Sequence, residues 1–175
     1  EKGAAVIQLQ ELLSALDQLQ DTHVIFTMPN ADTEGRQLAK MIAEFTEGRH
    51  WAMSSPSLGQ LRYLSAVSHV DGVVGNSSSG LAEVPSMRKG TVNIGDRQRG
   101  RLKASSVIDC EPVAVEILNA IEKLYSSDFQ LALAGVENPY GDGGASEKIV
   151  KVLADIDLSD VVKKHFYDIP YSECR

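Results

Sequence analysis

The amino-acid sequence predicts an α/β domain in which helices cover both faces of a mostly parallel sheet. Short β-rich apolar runs alternate along the chain with segments whose apolar residues recur at steps of three and four. With 175 residues, the chain has the length of one domain with a sizeable core. Sheets of this kind hold ligands at the carboxyl ends of their strands, so we expect functional residues in the segments that follow strands.

The first part of the chain alternates helix, strand, helix, strand and helix. The first helix runs to about Gln20 and buries a stripe of leucines. A β-rich run at 24–28 is closed by Pro29, and a brief second strand follows at 51–53. The helices on either side of this second strand show the same periodicity, at Leu38, Met41, Ile42 and Phe45 and at Leu58, Leu61, Leu64 and Val67.

The second part adds three strands before the last helices. Val73 and Val74 form the buried end of the first of these strands, and Pro112 stands directly before a later helix. The predicted elements are strands at 72–75, 91–95 and 106–110, helices at 78–88 and 113–125, a loop-rich segment at 127–144, and helices at 145–154 and 159–166.

Composition and charge exclude several classes of protein. No apolar run approaches the roughly 18 to 20 residues of a membrane-spanning helix, and the first residues lack the order of a signal peptide. A net charge of -7 argues against binding along a nucleic-acid backbone. Cys110 and Cys174 cannot form a disulfide framework or a zinc site with CxxC spacing. We therefore expect a cytoplasmic protein without a membrane, nucleic-acid or metal partner.

The sharpest local feature is the run VVGNSSSGLAEV, in which a buried strand ends and three serines precede a helix. Ser77, Ser78 and Ser79 place hydroxyls and free backbone N–H groups at the helix start, where the positive end of the helix dipole attracts a phosphate. Gly75 and Gly80 permit close backbone approach. The run matches neither a Walker loop nor the GxGxxG fingerprint. A plain strand-turn-helix junction with a serine N-cap stays an alternative.

Charged residues in two places point to a ligand of the same kind. Glu83 lies about one turn beyond the serines, where its carboxylate can accept hydrogen bonds from ribose hydroxyls. Arg97, Arg99 and Arg101 follow the strand at 91–95 and would suit an anion in an otherwise acidic protein. The alternatives are a solvated Glu83 and a basic turn whose arginines pair with Asp or Glu.

Asn30 and Asp142 are further candidates on loops. Asn30 follows the first strand and is either a turn residue or a ligand-facing amide. Asp142 is expected to support a tight turn or to cap the next helix. The four histidines share no spacing with carboxylates or cysteines, so we expect no catalytic or metal-binding histidine.

Together, these motifs resemble those of the hydrolysing UDP-N-acetylglucosamine 2-epimerases of sialic-acid and related nonulosonate biosynthesis. The matching segments are SLGQLRYLSAVSHVDG, VVGNSSSGLAEVPSMRKGTVNIGDRQRGR and NPYGDGGAS, and the match covers nearly the whole chain. The resemblance implies a GT-B architecture, in which two Rossmann-like domains face a cleft and the C-terminal one holds UDP. It also implies individual roles: Asn30 near the nucleotide, Leu58 at the uracil, Ser77 and Ser78 at the diphosphate, Glu83 at the ribose, and Arg97 completing the UDP site.

The same resemblance implies that much of the enzyme is missing. The family's domain starts with a strand and a His-Pro loop and follows a domain whose carboxylates do the acid/base work, and neither is in this chain. The opening on a helical pattern without Met likewise indicates a fragment. We therefore expect residues 1–175 to form one UDP-binding domain, inactive alone, without catalytic residues, metal or cofactor. Its helical tail, 143–175, is expected to pack on the missing N-terminal domain.

Three questions stay open from the sequence. The resemblance implies UDP-N-acetylglucosamine or a related UDP-diacetamido sugar as the substrate without choosing between them, and it leaves open whether the full-length enzyme forms a homo-oligomer. A GT-B glycosyltransferase would share a UDP-holding domain, although the GDRQRGR and YGDGG loops favour the epimerase. A non-catalytic flavodoxin-like domain is a further alternative, but neither an acidic pocket nor a flavin-phosphate loop follows the first strand.

Overall fold

The computed structural model describes residues 3–29 and 34–159, together with Lys163, Phe166 and Tyr167. The chain divides into two compact units, 1–141 and 142–175. The described strands all lie in the first unit, while the second contains the helix α7 (Ala145–Asp155). Of the helices in the described ranges, none is both long and apolar enough to cross a membrane.

The first unit alternates helices and strands as expected. Its helices are α1 (Ala4–Leu16), α2 (Gly35–Thr46), α3 (Gly59–His69), α4 (Ser79–Ala82), α5 (Ala114–Tyr125) and α6 (Ser127–Ala132). Its strands are β1 (Val24–Thr27), β2 (Ala52–Ser55), β3 (Gly72–Gly75), β4 (Gly90–Ile94) and β5 (Val107–Cys110). Two short 3₁₀ turns lie at Val84–Met87 and Leu133–Gly135.

All strand pairings are parallel, but the strands form two sheets. β1 pairs with β2, while β4 lies between β3 and β5 in a second sheet. The α/β class with parallel strands is confirmed, whereas within the described residues β1 and β3 are not joined into one continuous sheet. Alternation along the sequence predicts strand direction, because a crossover helix returns the chain to the same end of the sheet. It does not predict which strands become neighbours.

One hydrophobic core spans both sheets. β4 is buried along its whole length, and its Val92 and Ile94 belong to the same cluster as Ile117 of α5. Phe26 of β1 and Phe45 of α2 join this cluster, with ring centroids 5.8 Å apart in an edge-to-face arrangement. Because the core holds both sheets, it also fixes the loops that leave the carboxyl ends of the strands.

The first helix is shorter than expected. α1 ends at Leu16, about one turn before the predicted end at Gln20. The N–H of Leu19 donates to the carbonyl of Leu16, three residues back, at 3.2 Å, which is a 3₁₀ closure. Asp21 then has a φ of 51°, which ends helical backbone. Leu19 nevertheless packs against the core, so the apolar periodicity continues beyond the helix.

The helix predicted at 78–88 is two short pieces. α4 covers Ser79–Ala82, and the 3₁₀ turn Val84–Met87 follows it. Pro85 lies in that turn and has no N–H to donate to the carbonyl of Leu81, so a continuous α-helix would lose a hydrogen bond and crowd the proline ring. The sequence prediction of one helix here is wrong, because Pro85 interrupts the helical hydrogen bonding.

The segment predicted as loop-rich at 127–144 begins with a helix. α6 is capped by Ser126, whose Oγ accepts a hydrogen bond from the N–H of Phe129 at 3.4 Å. Phe129 packs against the core and thereby anchors this short helix. The helix predicted at 159–166 lies largely outside the described residues. The other predicted elements match the structure to within about three residues.

Candidate functional site

Four of the residues expected to bind UDP follow two neighbouring strands of the second sheet. Ser77, Ser78 and Glu83 follow β3, and Arg97 follows the neighbouring β4. The structure therefore brings these four side chains to the carboxyl edge of one parallel sheet, where ligands of α/β proteins bind. Asn30, expected near the nucleotide, lies outside the described residues.

Leu58 belongs to the same neighbourhood through α3. It is the half-buried N-cap of that helix. Tyr63, further along α3, lies with its hydroxyl 2.6 Å from the Oγ of Ser79. Five residues of helix span about 7 to 8 Å along its axis, which is the separation between Leu58 and Tyr63 along α3. Leu61 from the same predicted apolar stripe is 84% exposed, so the stripe is not a uniform core face.

The serine turn, defined here as residues 75–79, has an unusual backbone at its start. Gly75 has a φ of 146°, a backbone conformation that residues other than glycine rarely adopt. The Oγ of Ser77 accepts a hydrogen bond from the N–H of Ser79 at 3.3 Å, and Ser78, the N-cap of α4, makes no side-chain capping bond. Ser77 and Ser78 are both exposed. The turn thus presents two hydroxyls to solvent, of which only that of Ser77 has a partner in the described chain.

The helix behind the serine turn is too short to supply the expected dipole. α4 has four residues, whereas the macrodipole grows from several turns of aligned peptide units. The expected attraction of a phosphate by a helix dipole therefore has little support from so short a helix and stays a prediction. An anion at this turn would depend on hydroxyl and N–H donors and on the nearest guanidinium.

Gly80 seats α4 against the sheet. A Cβ at this position would lie 2.6 Å from Cγ2 of Thr91 on β4, closer than side chains tolerate. Thr91 is buried, and its hydroxyl donates to the carbonyl of Gly80 at 2.9 Å. The expected close approach at Gly80 is thus a packing contact between α4 and β4 that places the serine turn.

Glu83 is half-buried and hydrogen-bonded, which differs from the solvated alternative. Its Oε2 accepts from the Oγ of Ser79 at 2.5 Å, and that Oγ also lies 2.6 Å from the hydroxyl of Tyr63. In the described chain no hydrogen bond reaches its Oε1. Sequence reasoning missed Tyr63 because it is 16 residues from Ser79 and on another helix, so no local spacing links the two.

Arg97 is placed beside the serine turn by its neighbour Gln98. The side chain of Gln98 is almost fully buried and donates from Nε2 to the carbonyl of Asn76 at 2.7 Å. Arg97 Nη1 donates to Oδ1 of the same Asn76 at 3.4 Å. Two adjacent residues of the loop after β4 therefore hold the residue between Gly75 and the serines. Gln98 was also missed, because burial of one polar residue in a charged loop leaves no signal in the sequence.

Arg99 and Arg101 line a surface to which Arg97 does not contribute. They line a concave surface of about 530 Å³ at the carboxyl ends of β4 and β5. Its other charged residues are Asp96, Lys103, Asp109, Glu111 and Glu116. Its charge is mixed, so it does not favour an anion. Of the ion pairs within the described residues, none involves these two arginines or Arg97, which differs from the predicted alternative of a paired basic turn.

Asp109, at the end of β5, already has partners within the chain. Its carboxylate accepts from Nζ of Lys103 at 2.7 Å and from Nδ2 of Asn93 at 2.7 Å. Burial raises the pKa of Asp109, but these hydrogen bonds and the charge of Lys103 outweigh burial and leave the pKa below its usual value. Burial and then the acidic neighbours raise the pKa of Cys110 to about 11, so its thiol stays protonated at neutral pH.

The remaining candidates have no ligand-binding arrangement. Among the residues that the structure describes, no group of three His, Cys, Asp or Glu could hold a metal ion. Asp142 is exposed, and α7 is capped by Gly144 without a side-chain bond, so the capping prediction for Asp142 is wrong. Gly141 and Gly143 on either side have φ values of 95° and 106°, as a tight turn requires.

Comparison with known proteins gives consistent matches. A sequence model described as UDP-N-acetylglucosamine 2-epimerase matches residues 1–154. The GDP/UDP-N,N'-diacetylbacillosamine 2-epimerase (hydrolyzing) of Campylobacter jejuni is 35% identical over 164 residues, which cover 93% of this chain and 42% of that protein. The polysialic acid biosynthesis protein P7 of Escherichia coli is 36% identical over 169 residues, 95% of this chain and 42% of that protein. The chain therefore spans less than half the length of these relatives.

Solved structures share the fold. The UDP-GlcNAc 2-epimerase of Methanocaldococcus jannaschii, solved in complex with UDP-GlcNAc and UDP, is similar with a TM-score of 0.66 at 14% identity, over 85% of this chain and 41% of that one. A structure from Listeria monocytogenes gives a TM-score of 0.65 at 14% identity, over 93% and 44%. Likeness at this identity concerns the fold, and it confirms the expected Rossmann-like half of a GT-B architecture.

Proposed function

The chain belongs to the UDP-N-acetylglucosamine 2-epimerase family, and on this premise we propose that it is the UDP-binding half of a hydrolysing 2-epimerase. The observation that carries the proposal is that four candidate ligand-binding side chains lie at the carboxyl edge of the second sheet. There Ser77 and Ser78 expose their hydroxyls, Arg97 lies beside them on Asn76, and Glu83 offers a carboxylate. Two hydroxyls and a cation suit a diphosphate, and a carboxylate suits ribose hydroxyls.

The diphosphate would lie over the serine turn. Ser77 and Ser78 are exposed there, and Arg97 reaches the turn through its contact with Asn76 at 3.4 Å. A guanidinium can form two parallel hydrogen bonds with one phosphate, which fixes orientation as well as supplying charge. Because α4 is short, we assign most of the attraction to Arg97 and the hydroxyls.

The nucleoside would extend from the serine turn toward α3. Glu83 would accept hydrogen bonds from the ribose, since the described chain leaves its Oε1 unused. Leu58, half-buried at the start of α3, would contact the uracil with its apolar side chain. Asn30 would complete this part of the site.

Catalysis would depend on groups outside this chain. The whole enzyme would abstract the proton at C2 of the sugar, eliminate UDP, and add water to the resulting glycal-like intermediate. Acid and base groups must then flank the sugar ring on both sides. The candidate residues of this chain would contact the uracil, ribose and diphosphate but not the sugar ring, so we propose that residues 1–175 form a single binding domain. Its tail, 143–175, would pack on the N-terminal domain.

The substrate would be UDP-N-acetylglucosamine or a related UDP-diacetamido sugar, converted to the 2-epimeric free sugar and UDP. The support is the relative from Campylobacter jejuni, whose name specifies N,N'-diacetylbacillosamine, and the relative from Escherichia coli, whose name specifies polysialic acid biosynthesis. We accordingly place the enzyme in cytoplasmic sialic-acid or nonulosonate biosynthesis. A homo-oligomer of the whole enzyme is compatible with this proposal.

The test is a coupled assay for UDP released from UDP-N-acetylglucosamine, run beside calorimetry with UDP, FMN and NAD. The chain should bind UDP, leave FMN and NAD unbound, and release no UDP from the sugar. Adding the N-terminal half of the same enzyme should start the reaction. Turnover by the chain alone at about 1 per second, an ordinary enzyme rate, would show that it contains the catalytic groups. Tight binding of FMN or NAD without UDP would refute the proposal.

A further inference from the structure

Three half-buried side chains form a continuous hydrogen-bonded path that ends at the proposed ribose acceptor. Tyr63 belongs to α3, Ser79 is the first residue of α4, and Glu83 is the residue directly after α4. The hydroxyl of Tyr63 lies 2.6 Å from Ser79 Oγ, which lies 2.5 Å from Glu83 Oε2. Both distances are typical of strong O–H···O hydrogen bonds.

The direction of these hydrogen bonds follows from proton counting. A serine hydroxyl has a single proton, and Ser79 donates it to the carboxylate of Glu83, which can only accept when ionised. Ser79 Oγ must therefore accept at the other contact, so the hydroxyl of Tyr63 is the donor. Hydrogen bonds in series with one direction polarise each other, and each is stronger than it would be alone.

The path fixes one carboxylate oxygen and leaves the other for a ligand. Oε2 of Glu83 is held by Ser79, while no hydrogen bond from the described chain reaches Oε1. A glutamate side chain loses considerable rotamer freedom when it is ordered, and ordering it before the ligand arrives removes that cost from binding. α4 has only four residues and cannot fix this geometry by itself, whereas Tyr63 comes from a separate helix.

We propose that Tyr63 is a positioning residue for nucleotide binding, which acts through Ser79 to orient the Glu83 carboxylate toward the ribose hydroxyls. The inference rests on the proposed function, because it requires UDP at this edge. It goes beyond that function because it states how the chain distinguishes a nucleotide with ribose hydroxyls from one that lacks them. Tyr63 touches neither the diphosphate nor the ribose in this arrangement, so its effect should be confined to the interaction made by Glu83.

The experiment compares UDP with 2′,3′-dideoxy-UDP, which lacks both ribose hydroxyls, by calorimetry on the chain and on Tyr63→Phe. The unmodified chain should prefer UDP. Tyr63→Phe should weaken UDP binding about 3- to 10-fold, the effect of one lost neutral hydrogen bond, and leave binding of the dideoxy nucleotide unchanged. Ser79→Ala, which breaks the path at its centre, should give the same selective loss. A Tyr63→Phe/Glu83→Gln double variant should lose no more than Glu83→Gln alone.

Tyr125→Phe is the matched control. The hydroxyl of Tyr125 donates to Asp71, which precedes β3, at a distance of 3.4 Å. Its loss should change neither the affinity for UDP nor that for the dideoxy nucleotide. An equal loss for both nucleotides in Tyr63→Phe would mean a structural role and would overturn the inference while leaving the proposed function intact. Unchanged affinities in Tyr63→Phe and Ser79→Ala would overturn it as well. Failure of the unmodified chain to bind UDP would overturn the proposed function and this inference with it.

Discussion

Two neighbouring regions at the carboxyl edge of the second sheet differ in whether their polar side chains already have hydrogen-bond partners within the described chain. In the β3 region, defined as residues 76–83, the hydroxyls of Ser77 and Ser78 are exposed and the Oε1 of Glu83 lacks a partner within the described chain. The β5 region is defined as Asn93, Lys103 and Asp109. There the Asp109 carboxylate accepts hydrogen bonds from Asn93 Nδ2 and Lys103 Nζ, each at 2.7 Å.

The difference separates a binding surface from a structural one. A charged group that is already paired within the chain has few free hydrogen-bonding positions for a ligand, and removing its partner lowers stability. Groups held in place but not fully paired can exchange water for ligand at small cost. The β3 region should therefore respond to substitution by changes in UDP affinity, and the β5 region by changes in stability.

The largest expected effect is that of Glu83→Ala on nucleotide binding. Loss of a charge-assisted hydrogen bond to the ribose should weaken UDP binding by roughly 1 to 3 kcal/mol. Calorimetry would measure this, with circular dichroism to verify that the fold is retained. Asp109→Asn serves as the control from the β5 region and should bind UDP normally. If the two variants bind UDP equally well, the contrast between the two regions disappears.

Gly80→Ala should destabilise the fold by about 1 to 3 kcal/mol, the usual cost of adding volume to a packed site. The new Cβ would lie 2.6 Å from a buried Thr91 side chain, so α4 and β4 must separate. Urea denaturation would measure the loss. Gly135→Ala is the matched control because a Cβ there meets nothing within 4 Å, and it should be nearly neutral. Similar stability of the two variants would contradict the packing role of Gly80.

The serine turn could be predicted from the sequence, whereas the contacts that hold its neighbours in place could not. The glycine-serine run is visible because its residues are contiguous, and the strand before it is short, apolar and bounded by glycines. Pro85 is equally visible in the sequence, and it marks the point where α4 gives way to a 3₁₀ turn. Contacts between distant segments are a different matter. The hydrogen bonds of Tyr63 and Gln98 depend on how α3 and the loop after β4 pack, and neither leaves a local pattern.

Asp109→Asn should have a smaller effect, confined to stability and dependent on pH. The folded pKa of Asp109 is lowered, so its contribution is present above its ordinary pKa near 3.8 and is lost as the pH falls through the folded value. The side chain is 53% exposed, which limits the loss at neutral pH to about 1 kcal/mol or less. Denaturation at pH 7 and pH 2.5 should show the difference narrowing in acid. A difference that widens in acid would reverse the assigned sign.

The most direct test of the account is a UDP titration followed by backbone amide NMR. The largest shifts should fall on the amides of residues 76–83 and of Arg97 and Gln98, while those of Lys103 and Asp109 should move little. This result would place the diphosphate over the serine turn. Shifts concentrated at residues 109–116, along the concave surface of the β5 strand end, would contradict the account, as would a spectrum that UDP leaves unchanged.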